Sequence, residues 1–155
     1  MAMTEMQPTG TLDYLLQHIV ALMDTQSDQV LQEQLGLTLA QYKILRLLGP
    51  DKHVSQKQLA RMLGQTEASV SRQIRLMTGR GITQSLRDPR DKRGHPAAVT
   101  PKGEQLLAAA TQVLDTYYAP TLAALPKKQA KQLCEGLHAL HGALCVTGHD
   151  TAGTL

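Results

Sequence analysis

The chain contains no Phe and no Trp, only four Tyr and only two Cys. Two cysteines are too few for a disulfide scaffold, which favours a reducing compartment. No apolar run approaches the roughly 18 residues needed to cross a bilayer, and the N-terminus lacks the basic and apolar segments of a secretory signal. We therefore expect a cytoplasmic protein with no membrane partner, whose core is built from Leu, Ile, Val, Met and Ala.

The motifs of common enzyme classes are missing as well. The chain has no G-x-S-x-G, no phosphate-binding glycine loop, no H-E-x-x-H, and no paired carboxylates in a setting that suggests acid–base chemistry. We therefore predict that the protein is not an enzyme and that it uses no cofactor.

Positive charge is concentrated in the middle of the chain, although the whole chain carries only +3. Residues 55–103 contain ten Lys and Arg against three Asp and Glu, a net charge of +7, whereas the remainder carries −4. This distribution is typical of a nucleic-acid-binding segment set into a scaffold. The alternative is a solvated surface that happens to be basic.

Apolar spacing and capping signals predict six helices and one hairpin. Helix starts are indicated by capping boxes at Thr38 and Ser55 and by an N-cap at Thr66. Thr100 followed by Pro101 marks the start of the fifth helix. The predicted helices cover about residues 11–34, 38–48, 55–63 and 67–78 and two long segments within 101–147, and the predicted strands cover 82–86 and 97–99.

Three short helices followed by a hairpin describe a winged helix-turn-helix. The predicted fold is therefore mainly α, with this lobe at 37–100 flanked by long helices that need a second copy of the chain to cover their apolar faces. The predicted divisions are an N-terminal dimerisation helix at 1–36, the DNA-binding lobe, C-terminal dimerisation helices at 101–147 and a disordered tail at 148–155.

The second helix of the predicted helix-turn-helix carries the residues suited to DNA. Placing Val70, Ile74 and Met77 toward the core at about 100° per residue turns the polar side chains outward or to the flanks. Arg can bridge the O6 and N7 acceptors of guanine, and Ser can bond a base edge or a phosphate. The alternative is that Arg72 and Arg75 are ordinary solvated residues.

The lobe resembles the multiple-antibiotic-resistance-regulator (MarR) family in the order and spacing of its motifs. The resemblance covers residues 37–107 specifically, whereas the outer helices match in pattern alone. The matching segments are Leu37-Thr38-Leu39-Ala40-Gln41-Tyr42, Val54-Ser55-Gln56-Lys57-Gln58-Leu59-Ala60, Val70-Ser71-Arg72, Gly81-Ile82, Asp88-Pro89-Arg90-Asp91-Lys92-Arg93 and Thr100-Pro101-Lys102-Gly103.

The resemblance implies a homodimeric repressor that binds a pseudo-palindromic operator in double-stranded DNA. It implies that Arg90 of the wing enters the minor groove and that Asp88 holds the wing in shape. It also implies release by a small-molecule effector, with an aromatic or phenolic acid as one class. The predicted DNA-binding residues are Ser55, Thr66, Ser69, Ser71, Arg72, Arg75, Asp88, Arg90, Lys92 and Arg93.

Three places depart from the family pattern. Ser85 and Leu86 replace residues that are often basic in the family, which removes phosphate contacts. Pro96, Ala97 and Ala98 stand where bulkier strand residues are usual, so the returning strand is expected to be short. Arg75 stands where an acid is common, which adds positive charge to the recognition helix.

An effector that changes the spacing of two recognition helices has to act between the DNA-binding lobe and the dimer helices. We predict a cavity bounded by the first, second and fifth helices, with His18, Tyr42 and Arg46 as its polar members. Arg46 suits an organic anion, and Tyr42 and His18 suit a flat wall and a hydrogen bond.

The last helix carries a second candidate switch. Cys134, His138, His141 and Cys145 fall on one narrow face, and adjacent Cys and His side chains can share a Zn²⁺ or Cu⁺ ion. Only two neighbours reach one ion, so a closed site needs further ligands, from a second chain for example. The alternatives left open are a metal- or redox-sensing repressor switched through this face, polar residues that merely flank an interface, and an architectural DNA-binding protein without an effector.

Overall fold

The computed structural model describes residues 8–48, 54–85 and 97–148. The described part of the chain contains six helices and two antiparallel strands, as the sequence predicts. In chain order the elements are α1 (Pro8–Leu35), α2 (Leu39–Leu48), α3 (Gln56–Leu63), α4 (Glu67–Gly79), β1 (Thr83–Ser85), β2 (Ala97–Val99), α5 (Pro101–Ala123) and α6 (Lys127–Gly148).

The chain divides into two compact units, residues 1–114 and 115–155, with the boundary inside α5. The first unit holds α1 through β2 and the beginning of α5. The second holds the rest of α5 and α6. The predicted functional divisions at 36/37 and 100/101 do not coincide with this boundary and stay a prediction.

The core of the first unit is aliphatic, as the absence of Phe and Trp requires. Side chains from α1, α2, α3, α4, β2 and α5 meet in it together with Ile82, which precedes β1, and Tyr42 is its one aromatic member among the described residues. Its fully buried large side chains include Leu31, Leu37, Ile44, Leu45, Leu48, Leu59, Val70, Met77 and Ile82.

Local hydrogen bonds fix the ends of the short helices where the sequence predicts them. Thr38 and Gln41 exchange backbone-to-side-chain hydrogen bonds of 3.2 Å at the start of α2. Ser55 and Gln58 form the corresponding capping box of α3. Gly64 ends α3 in the left-handed conformation, with φ of 62°, a region that glycine enters without a Cβ clash.

The wing begins from strands of three residues. Thr83 pairs with Val99, Gln84 with Ala98 and Ser85 with Ala97, and Val54 adds an isolated bridge to Ala97. The predicted first strand was longer, from 82 to 86. Ile82 lies just before the strand, although its carbonyl accepts a hydrogen bond from the backbone N–H of Thr100 in the same register, and position 86 lies outside the described residues.

The first turn of α5 is hydrogen-bonded to the residues that follow α4. The Thr100 hydroxyl caps α5 by accepting from the backbone N–H of Gly103 at 3.1 Å, and it lies 2.7 Å from the carbonyl oxygen of Gly81, to which it donates. Gly103 is buried, and a Cβ at this position would lie 2.2 Å from the carbonyl oxygen of Ile82. The last residue of the Thr-Pro-Lys-Gly motif is therefore glycine for a steric reason.

The apolar faces of the long helices are uncovered in the single chain. On α6 the sequence pattern predicts an inward leucine stripe, but Leu133, Leu137 and Leu144 are exposed. The pattern identifies the apolar face without identifying what covers it. Among the described residues, no helix combines the length and the apolar character needed to cross a membrane. Residues 149–155, most of the predicted tail, lie outside the described ranges, whereas Gly148 closes α6.

Candidate nucleic-acid interface

Helix α4 is oriented by a buried stripe and an N-terminal cap. Val70, Ile74 and Met77 are buried, as predicted. Thr66 lies in extended conformation just before the helix, and its side chain accepts a hydrogen bond of 3.2 Å from the backbone N–H of Ser69. The cap satisfies one of the otherwise unpaired donors at the helix start, and the stripe fixes which side faces outward.

The opposite face of α4 presents two guanidinium groups. Arg72 and Arg75 are exposed, as is Ser69, whereas Ser71 is half-buried on the flank. Within the described ranges, neither arginine forms an ion pair with a carboxylate. As far as the described residues show, both guanidinium groups can therefore donate to an external acceptor.

The hydroxyl groups of two predicted DNA-binding residues are occupied inside the protein. The Ser55 hydroxyl accepts from the backbone N–H of Gln58 and donates to its side-chain oxygen at 3.0 Å. Thr66 is engaged by Ser69. Both residues hold helix starts in place, so their positions suit an anion near a helix N-terminus more than direct contact through the hydroxyl.

The wing is described only at its base. The paired strands β1 and β2 lie next to α4, and β2 covers Ala97–Val99, the range predicted for the returning strand. The predicted contact residues of the wing tip lie outside the described residues: Asp88, Arg90, Lys92 and Arg93.

Two residues of the basic segment that were not predicted to contact DNA donate hydrogen bonds to backbone carbonyls. Arg80 donates to the carbonyl of Gly36 at 2.9 Å, and Lys102 donates to the carbonyl of Arg80 at 2.7 Å. These bonds join the end of α1, the end of α4 and the start of α5. Because the partners are distant in sequence, no local signal reveals this role.

Of the three residues predicted to line an effector cavity, two lie beside each other and the third stacks on a different residue. Tyr42 is buried, with its hydroxyl 3.4 Å from that of Thr111 on α5, and the Arg46 guanidinium lies 5.7 Å from the centre of the Tyr42 ring. His18 is exposed and stacks on Tyr14, with ring centres 5.7 Å apart. Thus the structure brings Tyr42 and Arg46 together, and it places His18 against a neighbour on its own helix.

The Cys/His face of α6 lines a shallow depression of about 410 Å³, bounded by Cys134, Leu137, His138 and His141. Cys134 is exposed with a free thiol. The side chain of Cys145 lies outside the described residues. Across the part of the chain that the structure describes, no three His, Cys, Asp or Glu side chains are arranged to hold one metal ion.

Sequence comparison matches the lobe to a known family. Residues 35–94 match the sequence model described as the MarR family. The chain is 31% identical over 80 residues to the transcriptional regulator HosA of Escherichia coli O111:H-. That match covers 52% of this chain and 59% of HosA, so the chain spans about three-fifths of the length of this curated relative.

Solved structures resemble the chain over most of its length. A Mycobacterium tuberculosis MarR family protein, Rv2887, in complex with p-aminosalicylic acid is 28% identical with a TM-score of 0.71, covering 84% of this chain and 98% of that one. The MepR–DNA complex of S. aureus is 24% identical with a TM-score of 0.69, covering 86% and 97%. The second likeness concerns the fold.

Proposed function

Because the chain carries a winged helix of the MarR family, we propose that it is a transcriptional regulator that binds double-stranded DNA. The observation that carries the proposal is the outward face of α4. There Arg72 and Arg75 are exposed, unpaired by any described carboxylate, and held opposite a buried stripe. An α-helix with such a face fits the major groove, where Arg reads guanine through two parallel hydrogen bonds.

The remaining predicted contacts divide by the kind of DNA group they suit. Ser69 and Ser71 flank the arginines and suit phosphates or base edges. The N-termini of α3 and α4, held by Ser55 and Thr66, suit phosphates. In the wing, Arg90, with Lys92 and Arg93 beside it, suits a narrow minor groove, whose negative potential attracts guanidinium groups.

A homodimer is supported by the uncovered apolar side chains of the long helices. On α1, Leu15, Ile19 and Val20 are about half exposed, and α6 shows the same pattern at Leu133 and Leu144. Leaving this much aliphatic surface in water is unfavourable, at about 25 cal/mol for each Å². A symmetric pair of chains would cover it and present two copies of α4 to half-sites about 34 Å apart, one turn of duplex.

A repressor released by an aromatic acid is supported by the pair Tyr42 and Arg46. The exposed guanidinium of Arg46 offers a cation to a carboxylate, and it lies 5.7 Å from the centre of the buried Tyr42 ring. Rv2887, which is similar to this chain, has been solved with p-aminosalicylic acid. We propose that an acid of this class binds near Tyr42 and Arg46 and changes the spacing of the two DNA-binding lobes, which would release DNA in the cytoplasm.

A second candidate switch is favoured by the depression along α6. Cys134 and His138 are one turn apart on the same exposed face, so they can offer two ligands to one Zn²⁺ or Cu⁺ ion. A closed site then requires two more ligands, for which the same residues of a second chain are suited. In this alternative the protein senses metal or oxidant, through Cys134 and Cys145, instead of an organic acid.

The experiment that tests DNA binding is selection of bound sequences from random duplex DNA with the purified full chain. A sequence-specific regulator enriches a pseudo-palindrome with half-sites one turn apart. Enrichment of no motif despite binding would favour an architectural DNA-binding protein. A chain that binds no duplex at all would contradict the proposal.

The selected site then allows a test of the recognition helix. We expect Arg72→Ala to weaken binding by about 1–3 kcal/mol and to flatten discrimination between sites, because a base contact is lost. Lys128→Ala removes the same charge from α6, outside the lobe, and is the matched control. Equal effects of the two substitutions would show that Arg72 acts only through its charge.

A further inference from the structure

The side chain of Gln41 makes a contact that neither the charge pattern nor the proposed DNA contacts use. Gln41 lies on α2 and is only 5% exposed. Its side-chain oxygen accepts from the backbone N–H of Thr38, and its side-chain nitrogen donates to the side-chain oxygen of Gln73 on α4 at 3.1 Å. This hydrogen bond joins the first turn of α2 directly to the recognition helix.

The hydrogen bond between the buried amide of Gln41 and the half-buried amide of Gln73 has a more directional geometry than the aliphatic contacts around it. Leaving a buried donor unpaired costs roughly 1–3 kcal/mol, and a hydrogen bond tolerates only a few tenths of an ångström in length. The apolar stripe of α4 fixes which side of the helix faces the core, and the hydrogen bond adds a directional contact on the flank of that stripe. The pair Gln41–Gln73 therefore resists rotation of α4 about its own axis.

Rotation of α4 matters because Arg72 is the residue next to Gln73. A guanidinium at the end of an extended side chain lies about 8 Å from the helix axis, so a 10° rotation moves it by roughly 1.4 Å. That displacement is enough to break two parallel hydrogen bonds to one base.

The same helix start is also tied to α1. The carboxylate of Asp28 accepts from the backbone N–H of Leu39 at 2.8 Å, and Gln32 donates to the other carboxylate oxygen. The first turn of α2 thus has polar contacts with α1 on one side and with α4 on the other.

We propose that Gln41 and Gln73 are positioning residues for DNA recognition, which set the rotation of α4 and thereby the aim of Arg72. The proposal rests on the proposed DNA binding. Neither glutamine needs to touch DNA for this role, since the two amides are engaged with each other.

A cycle of glutamate substitutions tests the pair at nearly constant shape. Gln41→Glu leaves the amide of Gln73 able to donate after it turns over, and Gln73→Glu leaves Gln41 as donor. The double variant has four acceptor oxygens, no donor and two like charges. We measure dissociation constants for the selected duplex and for a scrambled one, because added negative charge raises both constants and cancels in their ratio.

We expect each single variant to retain the preference for the selected duplex and the double variant to lose it by about tenfold or more. Thr38→Ala is the matched control, because it removes the hydroxyl that caps α2 but leaves Gln41–Gln73 in place. If the two glutamines only stabilised the fold, Thr38→Ala would lower the preference for the selected duplex as much as the double variant does, once the two variants lose equally in thermal midpoint.

Three results would overturn the proposal. The first is a double variant whose preference for the selected duplex is unchanged. The second is a pair of single variants as impaired as the double variant, and the third is a loss of preference in Thr38→Ala equal to that of the double variant. Amide hydrogen exchange of the DNA-free protein separates this failure from failure of the proposed function. Exchange in α4 should quicken in the double variant and not in the singles, whether or not the chain binds DNA; unchanged exchange together with a wild-type chain that binds no duplex overturns both.

Discussion

Replacing Gly103 by alanine should destabilise the protein, although alanine normally favours a helix. The added Cβ would lie 2.2 Å from the carbonyl oxygen of Ile82 and 2.7 Å from Cγ1 of Val99. Real Cβ atoms do not approach a backbone oxygen so closely. Either the first turn of α5 or the chain around Ile82 must therefore move by about 1 Å.

The magnitude follows from what that movement disturbs. Inserting a methyl group into a packed site costs about 1–3 kcal/mol. The displaced carbonyl accepts from the backbone N–H of Thr100 at 3.1 Å and, at 3.0 Å, shares the hydroxyl proton of Thr100 with the carbonyl of Gly81, and each such bond contributes about 0.5–1.5 kcal/mol. Helix propensity returns at most about 1 kcal/mol. We expect a net loss of about 3 kcal/mol in the free energy of unfolding.

Thermal denaturation at one fixed protein concentration measures this loss. For a chain of this size, 1 kcal/mol corresponds to a shift of about 2–4 °C, so the midpoint of Gly103→Ala should fall by roughly 6–12 °C. Gly79→Ala is the matched control, because nothing lies within 4 Å of its added Cβ and its φ is not positive. A Gly103→Ala midpoint at or above wild type would refute the close approach of α5 to Ile82.

The remaining predictions concern the assembled regulator. Sedimentation at micromolar protein should give twice the mass of one chain, and a concentration-independent monomer would contradict the dimer. Arg90→Ala should weaken binding most where the flanking sequence is A·T-rich, because the wing is expected to read groove width; a loss independent of the flanks would argue for a simple phosphate contact. Salicylate should release both the wild-type protein and the Cys134→Ser/Cys145→Ser variant from DNA, and it should not release Arg46→Met. Release only by Zn²⁺ or peroxide, lost in the double cysteine variant, would instead favour the α6 face as the switch.

Helix boundaries were predictable because the signals that set them are local. Each cap joins residues three positions apart, as at Thr38, Ser55 and Thr66, and such spacing is legible in the sequence. The buried stripe of α4 was predictable for the same reason, since helical periodicity alone determines which residues share a face.

The contacts that hold the elements against one another were not predictable. Gln41 and Gln73 are 32 positions apart, and Arg80 and Gly36 are 44 apart. Polar residues at such distances carry no pattern in a single sequence. The stacking of His18 on Tyr14 is a different case, because an aromatic pair four positions apart on one helix is a recognisable local signal.

These non-local contacts affect which basic side chains of residues 55–103 are expected to contact DNA directly. Ten basic residues lie between positions 55 and 103. Two of them, Arg80 and Lys102, each donate a hydrogen bond to a backbone carbonyl. Their charge still acts over a Debye length of about 8–10 Å and still attracts a polyanion. One bond does not exhaust the five donors of a guanidinium or the three of an ammonium, but it holds each of these two groups against a backbone carbonyl of the protein. Affinity that depends on charge can therefore draw on the whole segment, whereas sequence discrimination by α4 is expected from Arg72 and Arg75, from the serines that flank them, and from the buried contacts that aim the two arginines.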